Sequence, residues 1–134
     1  MSVVTLKRWN LSMGAGQPLA VIAGLNVLEN VDLALEVGRE LKAITAELGL
    51  PYVFKASFDK ANRSSITSYR GPGLKDGLAM LAEIKAKLDV PIATDIHEVD
   101  QAEPVAAFTA ASTSRPASMP GPRWPDLEVR LALS

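Results

Sequence analysis

The run LAVIAGL at 19–25 is almost wholly apolar and ends near a glycine, the signature of a short buried strand. Polar and apolar residues then change to a helical rhythm. Leu33, Val37, Leu41, Ile44 and Leu48 recur at steps of three and four and predict one apolar stripe, with Arg39 and Lys42 on the polar side. Asn30 is a suitable N-cap, Asp32 sits where the helix dipole favours an anion, and Gly49 and Pro51 end the segment. PYVFKA at 51–56 reads as a second strand, and SFDKANRSSITSYRGPG at 57–73 as a long polar loop closed by a Gly-Pro-Gly turn. A second helix is predicted over 74–88. Leu78, Leu81, Ile84 and Leu88 form its buried face, and Lys85 and Lys87 lie near its end. VPIATD at 90–95 is the third strand. His97 and Glu98 lead from it into a short helical segment with Ala102, Val105 and Ala106.

Strand and helix therefore alternate, which predicts an α/β fold with parallel strands and crossover helices. The strands are nearly uniformly apolar, as expected of strands covered on both faces. Polar residues follow each strand: Asn26, the stretch from Lys55 to Ser65, then Asp95 and His97. In an α/β barrel such positions form the active face. From about residue 108 the rhythm is lost. The stretch to residue 134 holds four of the nine prolines, and no fourth strand is expected there.

Composition narrows the function. The 134 residues are 48% hydrophobic and 22% charged with a net charge of −1, so one globular domain is expected and no broad basic field for nucleic acid or an anionic membrane. There is no cysteine and one histidine, which removes disulfides and thiolate chemistry and argues against a structural zinc site. No signal peptide is legible, and no apolar run reaches the roughly 20 residues of a membrane span. A reducing cytoplasm fits this composition.

The strongest chemical signal is the loop after the second strand. Lys55, Lys60, Arg63 and Arg70 lie close in sequence against only Asp59, with Asn62, Ser64, Ser65, Thr67 and Ser68 as neutral donors. Lysine and arginine with hydroxyls suit a phosphate or carboxylate; a solvated basic loop is the plainer reading. Asp95 and His97 suit a hydroxyl acceptor and an orienting or proton-handling imidazole, or else a helix cap and an ordinary loop residue. Asn26 either takes part in chemistry or satisfies a turn. Trp9 and Trp124 carry no ligand pattern.

The strings AGLNVLE at 23–29, PYVFKASFDKANRSS at 51–65, SYRGPGL at 68–74 and TDIHE at 94–98 together resemble the 3-deoxy-D-manno-octulosonate 8-phosphate synthase family. The resemblance covers residues 19–107, with 1–18 a looser match to the family's N-terminal β-hairpin. It implies the N-terminal part of a (β/α)8 TIM barrel, about three βα units, preceded by that hairpin. The implied reaction joins phosphoenolpyruvate to arabinose 5-phosphate: C3 of phosphoenolpyruvate adds to the sugar aldehyde, water attacks C2, and phosphate leaves by C–O cleavage. The product serves lipopolysaccharide synthesis. By resemblance Lys55 and Lys60, with Ser57 nearby, hold phosphoenolpyruvate. Asn62, Arg63 and Ser64 grip arabinose 5-phosphate, and Asp95 contacts that sugar. Asn26, Lys60, Asp95 and His97 form the implied catalytic set. The metal-dependent class of the family has cysteine where this chain has Asn26, so no metal and no other cofactor is expected. The family assembles as homotetramers.

The resemblance carries a further expectation. A full barrel needs roughly 250 residues, and the family continues into a fourth strand where this sequence reads TSRPASMPGPRWPDLE. Residues 1–107 are expected to be a partial barrel and 108–134 a disordered tail, with a frameshift near residue 108 as its origin. The inward faces of 19–25 and 90–95 are expected to meet water, leaving the chain marginal, prone to aggregate and inactive. Three alternatives remain: a non-catalytic anion-binding fragment, a small independent α/β binding module, and the related 3-deoxy-D-arabino-heptulosonate 7-phosphate synthase. The loop of that last family reads more like KPRTSP.

Overall fold

The structure, a computed structural model, describes residues 3–60, 66–107 and 111–112. Two short antiparallel strands come first, β1 (Val4–Leu6) and β2 (Leu11–Met13), joined by a 3-10 turn over Lys7–Trp9. Then β3 (Val21–Leu25), α1 (Val31–Glu47), β4 (Tyr52–Ala56), α2 (Leu74–Leu88), β5 (Ile92–Thr94), α3 (Ala102–Ala106) and β6 (Ala111–Ser112) follow in turn. The second sheet has the order β3-β4-β5-β6, every pair parallel, so each strand lies beside its neighbour in sequence. The expected α/β alternation is observed, and the expected hairpin is β1–β2.

The helices form where their ends are chemically marked. Asn30 caps α1 by accepting from the Leu33 amide at 2.8 Å. At the other end Gly49 turns to φ +68, and Leu50 and Gly49 donate back to Thr45 and Ala46, closing a Schellman motif. The predicted face of α2 is the observed one: Leu78, Leu81, Ile84 and Leu88 are buried.

The face of α1 differs from expectation. Its buried residues are Ala34, Leu35, Gly38 and Thr45, whereas Ile44 and Leu48 are 48% and 65% exposed. The cause is close packing. Gly38 lies against Leu88 and Phe54, so small residues bring the helix onto the sheet, and the larger ones turn away. The Lys42 ammonium donates to the Leu88 carbonyl at 2.7 Å, satisfying an acceptor at the end of α2.

The pleat divides the sheet between two cores. Tyr52, Phe54, Ala56 and Ile92 face α1 and α2 in the main core. Val53 and Ala93 face the other way and are covered by Leu6 and Leu11 of the hairpin, with Trp9 and Met13 at the edge. The exposure expected for 90–95 is therefore wrong, because the hairpin covers that face: Ala93, which points to it, is fully buried. The expectation for 19–25 holds in part, as Ile22 on β3 is 46% exposed. A fourth strand, not expected from the sequence, exists as β6, pairing Ala111 with Ala93 and Ser112 with Thr94. Two residues are too few to make a periodic signal. The rest of the expected tail lies outside the described residues.

Two expectations follow from this packing. A Cβ at Gly24 would run into the Lys55 carbonyl oxygen and stand 3.0 Å from the Lys55 carbonyl carbon. Since backbone cannot swing aside, Gly24→Ala should cost about 1–3 kcal/mol, read as a lower urea midpoint. Burial pushes the Tyr52 phenol from its usual 10 up to about 12, because the phenolate is poorly solvated there. The neutral ring is thus the form the fold prefers. Its contribution is complete below pH 10 and is lost as the pH rises toward about 12, so unfolding midpoints should fall across that window.

Candidate functional site

Parallel strands bring their C-terminal ends to one rim. Leu25 pairs with Ala56 at the last rung of β3 and β4, and Lys55 pairs with Ala93 on β5. The residues just past these ends therefore converge: Asn26 after β3, Ser57 after β4, Asp95 after β5.

The centre of the cluster is Asp95, which is nearly buried. The fully buried Ser57 donates from Oγ to Asp95 Oδ1 at 2.5 Å. The Lys55 ammonium in turn donates to Ser57 Oγ at 3.2 Å and stands 3.6 Å from Asp95 Oδ1. His97 Nε2 lies 3.5 Å from Asp95 Oδ2. A lysine, a hydroxyl and a carboxylate thus form a short relay with the imidazole on its far side. Each group in such a chain polarises the next. The helix-cap reading of Asp95 is set aside, because Glu98 and Gln101 form the capping box instead. Gln101 Oε1 accepts from both the His97 and Glu98 amides, at 2.9 and 3.2 Å.

A second tier holds the loop after β4. Arg70 forks onto Asp59, Nε to Oδ1 at 2.6 Å and Nη2 to Oδ2 at 3.0 Å, and Asp59 keeps the guanidinium firmly protonated. The Lys60 amide donates to the Arg70 carbonyl at 2.6 Å, and the Gly73 amide to the Phe58 carbonyl at 3.0 Å. Gly71 sits against that same Phe58 carbonyl at φ +117, so no side chain fits there. Phe58 meets the His97 ring edge to face at 6.5 Å. The Leu28 amide donates to the Ser57 carbonyl at 2.9 Å, tying the loop after β3 to the same point.

The structure therefore brings together Lys55, Ser57, Asp95 and His97. Lys60 stands half-buried at the loop's neck, and its ammonium makes no ion pair among the described residues. Asn26 is exposed on the same rim and makes no side-chain hydrogen bond among the described residues. Asn62, Arg63 and Ser64 lie outside the described residues. The expected crowd of cations is corrected in one respect. Arg70 is spent on Asp59, and Lys55 faces Asp95, so fewer positive charges are free than the loop's sequence suggests. The Asp59–Arg70 pair was not singled out from sequence, although opposite charges at the two ends of one polar loop were its signal. Among the described residues no three His, Cys, Asp or Glu side chains gather as a metal site, and no helix is long and apolar enough to cross a membrane.

Residues 2–113 match the DAHP synthetase I family, and the chain belongs to that family. The match takes in the hairpin and β6 as well as the four strings that carry the resemblance. Several curated relatives share one name. A 2-dehydro-3-deoxyphosphooctonate aldolase of Hahella chejuensis is 55% identical over 106 residues, covering 79% of this chain and 38% of the relative. Proteins of the same name from Pseudomonas putida and Azotobacter vinelandii are 56% and 52% identical, over 72% and 79% of this chain. The chain spans between 34% and 38% of the length of these relatives.

Asp95 and Asn26 should separate in a stability assay. Asp95→Ala removes two charge-assisted contacts and should destabilise by about 1.5–3 kcal/mol, whereas the exposed Asn26→Ala should stay within about 0.5 kcal/mol of the parent. Urea titrations of both variants check this. An equal loss from Asn26→Ala would show that its side chain is structural.

Proposed function

We propose that this chain supplies the phosphoenolpyruvate-binding rim of a 3-deoxy-D-manno-octulosonate 8-phosphate synthase. The observation that carries the reading is the Lys55–Ser57–Asp95–His97 cluster at the C-terminal ends of adjacent parallel strands, in a chain similar to the three octulosonate aldolases named above. The reaction joins C3 of phosphoenolpyruvate to the aldehyde carbon of arabinose 5-phosphate. Water adds at C2, and the bond between C2 and the phosphate ester oxygen breaks, so that inorganic phosphate leaves with that oxygen. Lys55 and Lys60 attract the phosphoenolpyruvate anion, and Ser57 stands beside Lys55 to share it. Asp95 takes a sugar hydroxyl and also holds the Lys55 ammonium in the rim. Asn62, Arg63 and Ser64 take the sugar phosphate. Holding two anions side by side lowers the cost of their encounter, and fixed cations offset their repulsion.

Several finer features belong to the same proposal. The singly wound strand order, with α1 and α2 packed on one face, supports the first strands of a (β/α)8 barrel. Asn26, where the metal-dependent class has cysteine, supports metal-free chemistry in which this side chain positions water and substrate. A homotetramer in the cytoplasm follows the family. A second reading is favoured by β3, whose free edge and exposed Ile22 leave one side of the rim open among the described residues. On that reading the chain by itself binds anions without turning them over.

One experiment distinguishes these. Purified chain is mixed with phosphoenolpyruvate and arabinose 5-phosphate, with and without chelator, while heat of binding and phosphate release are followed. Phosphoenolpyruvate should bind, and Lys60→Ala should weaken it roughly tenfold or more, the worth of a charge-assisted contact. Release that survives chelator means a complete metal-free site. Binding without release selects the second reading, and release abolished by chelator overturns the metal-free assignment. Absence of binding sinks the proposal. Turnover with erythrose 4-phosphate in place of arabinose 5-phosphate would assign the heptulosonate activity instead.

A further inference from the structure

We propose that Asp59 and Arg70 are a positioning pair: they clamp the neck of the 60–70 loop and, through the Asp59 carbonyl, hold the His97 ring in one orientation beside Asp95. Neither residue belongs to the substrate-contacting set above. The argument starts from His97. Its Nε2 lies 2.8 Å from the Asp59 carbonyl oxygen. A carbonyl can only accept, so the proton of the neutral ring is on Nε2, and the lone pair is on Nδ1. The ring's orientation and tautomer thus depend on where the Asp59 backbone sits.

That backbone is fixed through its own side chain. The Asp59 carboxylate is engaged by both the Nε and Nη2 of Arg70, a fork that holds direction as well as distance. The next residue along, Lys60, donates its amide to the Arg70 carbonyl at 2.6 Å. Side-chain fork and backbone bond together close the loop at its base, between residues 60 and 70. Residues 60 and 70 are therefore held together at the base of the loop. Phe58, buried between Gly77 and the His97 ring, stops the neck from sliding along α2.

Arg70 is 57% exposed, and an exposed ion pair adds little to global stability. Its value lies in geometry, because the Asp59 carbonyl meets His97 while Arg70 holds both the Asp59 carboxylate and the Lys60 amide.

The chain's single histidine makes the test direct, since every imidazole signal belongs to His97. In the full chain at pH 8 a ring Nε2–H resonance protected from solvent exchange is expected in the 1H–15N spectrum. Arg70→Gln should abolish that resonance while the backbone amide pattern of the strands persists, and Arg70→Lys should restore it in part. Asp59→Asn, which keeps the shape but not the charge, should weaken it. Phosphoenolpyruvate affinity should fall severalfold in Arg70→Gln. This binding arm rests on the functional reading above, whereas the ring resonance does not. If the parent chain binds no phosphoenolpyruvate but loses the resonance on Arg70→Gln, the clamp stands and that reading fails. A resonance missing from the parent, or unchanged in Arg70→Gln, overturns the clamp. Loss of the folded amide pattern in all three variants also overturns it, by making the pair a requirement for folding.

Discussion

The rim depends on one nearly buried carboxylate. Asp95 leaves the end of β5 with little water around it, so its charge must be met by protein groups. Ser57 and Lys55 meet it from β4, and His97 approaches from its own loop. This single requirement fixes the loops after β4 and β5 against one another. It also explains a lysine inside an otherwise apolar strand: Lys55 points to the face opposite the main core, where Asp95 supplies its countercharge. Half-paired in this way, the ammonium is held at the rim between Ser57 and Asp95.

Below the rim the fold is arranged to keep this geometry rigid. The hairpin packs Leu6 and Leu11 on Val53 and Ala93, one step below Lys55 and Asp95 on the same face. On the other face Gly38 lets α1 approach Phe54 and Leu88. Gly24 has no side chain, which lets β3 lie close to the Lys55 backbone. Two glycines and a small hairpin thus set the depth and spacing of the strands that carry the chemistry.

Much of this was legible in the sequence, for reasons that differ from element to element. The helix over 74–88 has four large residues at helical spacing, and all four are buried. The helix after Asn30 was legible in its ends but not its face, because Ala34 and Gly38 carry weak hydropathy signals although they make the closest contacts. Lys55, Ser57, Asp95 and His97 stood out by position at strand ends. Their mutual contacts did not, since a hydrogen bond between residues 57 and 95 has no signature along the chain. Asp59 and Arg70 were read as a charge balance and not as partners for the same reason. The strand at Ala111–Ser112 left no pattern because pairing with β5 alone defines it.

The strand order has a consequence for how the protein forms. In the sheet β3-β4-β5-β6 every strand pairs with the one made just before it. A chain leaving the ribosome from its N-terminus meets, at each step, a docking edge that already exists. No strand must wait for a distant segment before its backbone amides find acceptors, and each loop to be closed spans a single crossover. The growing sheet thus extends in one direction, each new strand docking on the one before it.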